Sequence, residues 1–115
     1  MSHTFIGFDP DKLKYPELAF LIGYVAKHCS NQSEKVVAGE VRRFDSKVDP
    51  SKLLFFSISL LFEDEFGDFH YRSLLVMKDQ RVSICDSFSE FDMKVFVELK
   101  SLYEEHFRLK EVSSL

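Results

Sequence analysis

Two cysteines, four histidines and one dense run of carboxylates are the side chains through which this sequence could do chemistry. Neither Cys29 nor Cys85 has a second cysteine or a histidine at metal-ligand spacing, which excludes zinc-ribbon and Cys-x-x-Cys redox patterns. A nucleophilic thiolate also needs a base within hydrogen-bond reach. Cys29 adjoins His28, but successive residues on a helix point about 100° apart. Cys85 and His70 fall roughly 13 Å apart along their strands at about 3.3 Å per residue. His106 reads as a boundary residue one turn beyond Leu102. The four glycines, at 7, 23, 39 and 67, never cluster into a phosphate-cradling loop. No catalytic residue, metal ligand or cofactor is assigned.

Two groups of residues remain as candidate binding surfaces. The first is the acidic tip of an expected hairpin, Glu63, Asp64, Glu65, Phe66 and Asp68 around Gly67. Its spacing fails the calcium-loop pattern and lacks a bidentate glutamate at the end, so it reads as a solvated tip that keeps a sheet edge soluble. Phe66 is the unusual residue there, since an aromatic at an acidic tip suits contact with a basic protein partner. The second group is Ser57, Ser59, His70 and Arg72, flanked by Phe55 and Leu74. A fork donor, two hydroxyls and a titratable ring are what a shallow anion or carboxylate pocket needs. The competing reading is an ordinary wet sheet face.

These residues belong to a period-two stretch. Leu54, Phe56, Ile58, Leu60 and Phe62 alternate with Phe55, Ser57, Ser59 and Leu61, and a second run follows from Phe69 to Met77. A four-residue loop from Asp64 to Gly67 would pair Phe62 with Phe69, Leu60 with Tyr71, Phe56 with Leu75 and Leu54 with Met77. A two-residue turn at Asp79-Gln80 then sets Val82 opposite Met77 and Ile84 opposite Leu75. The other face would still carry Phe55, Leu61, Leu74, Val76 and Cys85. That is too apolar to leave in water, so either the N-terminal segment with Phe5, Ile6 and Phe8 or a second subunit covers it.

Upstream, Asp9-Pro10 starts a short helical turn, and Leu18, Leu21, Ile22, Val25 and Cys29 predict a helix over 16–29. From Asn31-Gln32-Ser33-Glu34, a capping-type start, the spacing of Val37, Val41, Phe44 and Val48 favours a helix over 32–46. The alternative is a strand from Lys35 to Asp45, which Val36, Val37 and Gly39 support. Downstream, Ser89 with Asp92 three positions on opens a long helix over 90–109, with Val95, Leu99 and Leu102 inward and Met93, Val97 and Phe107 widening its apolar surface. The expected fold is a single α+β domain over 1–115: a two-layer sandwich of N-terminal helix or helices, a three-stranded antiparallel meander and a long C-terminal helix, the helices on the face bearing Phe56.

The bulk numbers agree with a core-building chain. It has 115 residues, 13 of them Phe and 4 Tyr, with 45% hydrophobic composition. Fifteen basic against nineteen acidic residues give a net charge of −4, which argues against nucleic acid as a partner. The helix, three strands, helix order is similar to that of double-stranded RNA-binding domains, but Ser87-Phe88-Ser89-Glu90-Phe91-Asp92 would repel phosphate where those domains are basic. Met1 to Asp9 shows neither a basic region nor a long apolar run, so neither export nor membrane insertion is expected, and a reduced cytoplasmic location is. The expected function is that of a small acidic, non-catalytic binding or adaptor protein, self-associating as a homodimer. Two alternatives stand beside it: a small-molecule-binding protein or weak enzyme using the pocket on the second sheet face, and an acidic inhibitor of a basic partner.

Overall fold

The computed structural model describes residues 2–28, 33–85 and 87–113. In chain order they form β1 (Ser2–Ile6), 3-10 turns at Pro10–Lys12 and Pro16–Leu18, α1 (Ala19–His28), β2 (Lys35–Asp45), β3 (Leu53–Glu63), β4 (Phe69–Met77), β5 (Val82–Ile84) and α2 (Glu90–Ser113). The architecture is α+β, and the five strands make one antiparallel sheet in sequence order. The sheet has five strands where three were expected, β1 and β2 being the additional ones.

The segment read as a helix over 32–46 is instead the long strand β2. Consecutive residues from Val37 to Val41 are buried, so both faces of the strand are covered and its apolar residues need not alternate; a β-bulge disturbs the period further. Val36 pairs with Phe62 and Ala38 with Leu61, leaving Val37 as the extra residue and breaking the alternation that marks a strand. Val37 and Val41 consequently enter different apolar clusters, one on each side of the sheet, while Val48 lies exposed in the next loop. Gly39 is the residue that a strand explains and a helix does not. The Phe5 ring of β1 lies over its backbone, where a Cβ would collide with the ring. Of the expected start for that segment, Asn31 and Gln32 lie outside the described residues, as does Cys29 at the end of the first helix.

Both hairpin registers differ by one residue from those expected. Glu63 pairs with Phe69, Phe62 with His70 and Leu60 with Arg72. The Asp64 N–H donates to the Asp68 carbonyl at 2.9 Å, so the connection is the three residues Glu65, Phe66 and Gly67, with Gly67 at φ +82°. That is a tight turn closed by a left-handed residue. The next hairpin repeats it: the Met77 N–H donates to the Arg81 carbonyl at 2.8 Å, and Gln80 takes the left-handed position at φ +69°. Val82 accordingly faces Val76, and Ile84 faces Leu74.

A one-residue slip moves side chains between faces. Here it divides the apolar residues of β4 between the two sides, and each side acquires its own helix. Phe56, Ile58, Leu60, Phe62, Leu74 and Val76 pack with Leu18, Ile22 and Val25 of the first helical segment. Leu61 and the Val37-Ala38 bulge pack with Val95 and Leu99 of α2, joined by Phe69, Tyr71, Phe96 and Tyr103. The helices thus lie on opposite faces rather than together on one. The second apolar face is covered chiefly by α2, and of the N-terminal segment Ile6 packs against the same cluster. β1 instead extends the sheet at its edge, pairing Phe5 with Gly39. Each large side chain so buried contributes roughly 1.5–3 kcal/mol.

Two substitutions test this arrangement by urea denaturation. Gly39→Leu should destabilise by about 1–3 kcal/mol, because the side chain has to displace Phe5 and approach the Ser59 carbonyl. Gln80→Gly should stabilise by up to about 1 kcal/mol, since it relieves a left-handed backbone at a side-chain-bearing residue.

Candidate functional site

Partners across an antiparallel pair share a face, so the register decides which of the expected site residues meet. Phe55, Ser57 and Ser59 stand on the α2 side, whereas His70, Arg72 and Leu74 stand on the α1 side. The pocket expected from these six residues is not assembled. Phe55 stacks on Phe44 with ring centroids 4.6 Å apart. Leu74 is core. Arg72 lies 5.0 Å over the Phe62 ring and donates to Glu34 Oε2 at 3.1 Å, burying that carboxylate almost completely. Its guanidinium therefore holds the start of β2 against β4.

His70 Nε2 and Asp64 Oδ2 are 2.8 Å apart. Asp64 also accepts from the N–H groups of Phe66 and Asp68, both at 2.9 Å, so this carboxylate is the internal scaffold of the tip rather than part of its outer surface. The His70 hydrogen bond is the main cause that holds the Asp64 carboxyl below its usual range. Glu63 turns toward Tyr103, and burial together with that carboxylate pushes the Tyr103 phenol up. What the tip presents outward is Glu65, Asp68 and Phe66, the last 80% exposed. Among the described residues no group of three His, Cys, Asp or Glu side chains could hold a metal.

The densest polar site lies on the α2 side and joins helix to sheet. Ser89 caps α2: its Oγ accepts from the Asp92 N–H at 3.2 Å, and the Asp92 carboxylate accepts from the Ser89 N–H at 2.9 Å and its hydroxyl at 2.8 Å. This is a capping box built on aspartate. The other carboxylate oxygen accepts from the Tyr71 hydroxyl at 2.7 Å, and that hydroxyl is also hydrogen-bonded to Ser59 Oγ at 3.0 Å. Asp92, Ser59 and the neighbouring Ser73 are all buried. Beside them the buried Glu40 pairs with Arg42 of its own strand, and the Arg42 guanidinium lies 4.7 Å over the Phe91 ring.

Burial by itself would raise the Asp92 carboxyl, but the Ser89 N–H and the Tyr71 and Ser89 hydroxyls hold it below the ordinary carboxylate range. Burial, reinforced by the adjacent Asp92 charge, pushes the Tyr71 phenol far above its usual value. One partner stays charged and the other neutral across the physiological range. The pair is suited to holding a helix at a fixed place, not to exchanging a proton. The Ser89/Asp92 spacing was readable as a helix start, but its tie to Tyr71 was not. The available signal was the three serines, Ser57, Ser59 and Ser73, interrupting otherwise apolar strands.

Asp92→Ala should cost about 2–3 kcal/mol in chemical denaturation, from the lost cap and the charge-assisted bond. The lowered carboxyl contributes stability that is present above its unfolded value of about 3.9 and is lost as pH falls through the folded value. The raised phenol works at the other end: stability declines as pH rises past about 10, where the unfolded phenol ionises and the folded one does not. Tyr71→Phe should lower stability at neutral pH and remove that part of the alkaline slope. No described helix is long and apolar enough to cross a membrane. No family model, curated protein or solved structure matches the chain, so its functional reading rests on this geometry.

Proposed function

We propose that this chain is a small non-catalytic binding protein that acts by self-association, with the outer surface of α2 as the contact. The observation that carries this reading is the exposure of α2 on both sides of its buried stripe. Asp92, Val95, Leu99 and Tyr103 face the sheet. Met93, Val97 and Phe107 on one flank are 51%, 53% and 51% exposed, and Phe91 and Leu102 on the other are also exposed. Beyond Tyr103 the side chains of Glu105, His106 and Phe107 all face outward. A helix gains most of its stability from packing an apolar face, and this one leaves large apolar side chains exposed on both flanks of its packed stripe. A second copy offers the same flank through a two-fold axis, which makes the contact self-complementary.

A second reading, contact with a basic protein partner through Glu65, Phe66 and Asp68, is favoured by the outward exposure of Phe66 between two acids. It predicts binding that weakens steeply with salt.

Sedimentation velocity at tens of micromolar tests the first reading. The wild-type chain should run as a dimer, and Val97→Glu should run as a monomer with an unchanged circular-dichroism spectrum. A wild-type chain that sediments as a clean monomer sinks the proposal.

A further inference from the structure

On the α1 side a cavity of about 540 Å³ lies between the start of the helical segment and the β4–β5 turn. Small-molecule sites typically span about 300–1,000 Å³ and are mostly apolar with a few polar groups at fixed places. This cavity has that character. Leu18 and Leu21 form its helical wall, and Phe56, Val76 and Val82 form its sheet wall. Its charged groups are Arg43 and Lys78 against the single carboxylate of Glu17, a local positive excess in a chain whose net charge is −4. Arg43 spends part of its charge on Asp45, with Nε 2.7 Å from Oδ1. Lys78 has no ion-pair partner among the described residues.

We infer that the cavity binds a small amphipathic carboxylate of the fatty-acid class, its alkyl chain against Phe56, Val76 and Val82 and its head group at Lys78 and Arg43. Apolar walls alone would accept any aliphatic molecule. The two cations add discrimination, because an alkyl cation would meet like charge at Lys78 and Arg43 and an alkyl alcohol would forgo the charge-assisted hydrogen bonds that a carboxylate accepts from them. The site is on the sheet face opposite α2, so its occupation does not depend on the self-association proposed above.

Calorimetric titration of the full chain at pH 8 with decanoate, decanol and decyltrimethylammonium, each below its aggregation threshold, tests the assignment. Decanoate should bind saturably with a negative heat-capacity change, the alcohol more weakly, and the cation not at all. Lys78→Glu, in an exposed turn, should weaken decanoate by about tenfold or more while leaving the circular-dichroism spectrum unchanged. Val82→Trp, which fills the sheet wall, should abolish binding. Absence of saturable decanoate binding, equal binding of the cation, or undiminished affinity in either variant would overturn the inference.

Discussion

Asp92 is the point at which the two halves of the α2 side are fastened. A carboxylate removed from water is costly unless every lone pair is used, and this one is satisfied by a helix terminus on one oxygen and a sheet tyrosine on the other. The same side chain therefore sets where α2 begins and where it sits over β3 and β4. Val95, Leu99 and Tyr103 follow at helical spacing, so the position of their whole stripe is set at its first turn. The ring contacts of Tyr71 with Phe88 and Phe96, at 5.4 and 6.0 Å, surround the joint with apolar surface and keep competing water away.

The sheet obeys a second constraint, the geometry of its two tight hairpins. Each closes with a single left-handed residue, and this fixes strand pairing to an odd-with-odd register across β3 and β4. β3 then lies in the middle of the sheet with a helix over each face. That accounts for its composition: a strand buried on both sides has no wet face on which to place polar residues, and reads as an almost unbroken apolar run. Ser59 is an exception because it meets the hydroxyl of Tyr71.

Much of this was visible in the residues and some was not. The 3-10 turns at Pro10 and Pro16, the helix after them, the strands from Leu53 and Phe69 and the capped start of α2 all follow from local chemistry, which depends on a few adjacent side chains. The β2 strand was obscured because it is buried on both faces and bulged at Val37, so its apolar residues show no period-two alternation. The register was misread because a turn of three residues and a turn of four both look reasonable around Glu65-Phe66-Gly67, and the hydrogen bonds of Asp64 decide between them. That single residue separated Ser57 and Ser59 from His70 and Arg72, and so dissolved a candidate pocket. The apolar cavity beside Val82 was out of reach for a different reason. Its walls come from distant segments, and no local pattern marks residues that line a space rather than fill it.

The order of strands in the sheet follows the order of the chain, and this has a consequence for how the fold is reached. β2 through β5 need only short loops to close, so their pairing can propagate from hairpin to hairpin at small entropic cost. β1 is different, since residues 7–34, with α1 among them, must fold back before it can align with β2. It is the strand with the longest loop to close and the one whose ring covers Gly39. On loop-closure entropy alone β1 is the costliest of the five strands to pair, and the cover that Phe5 gives Gly39 comes only with that pairing.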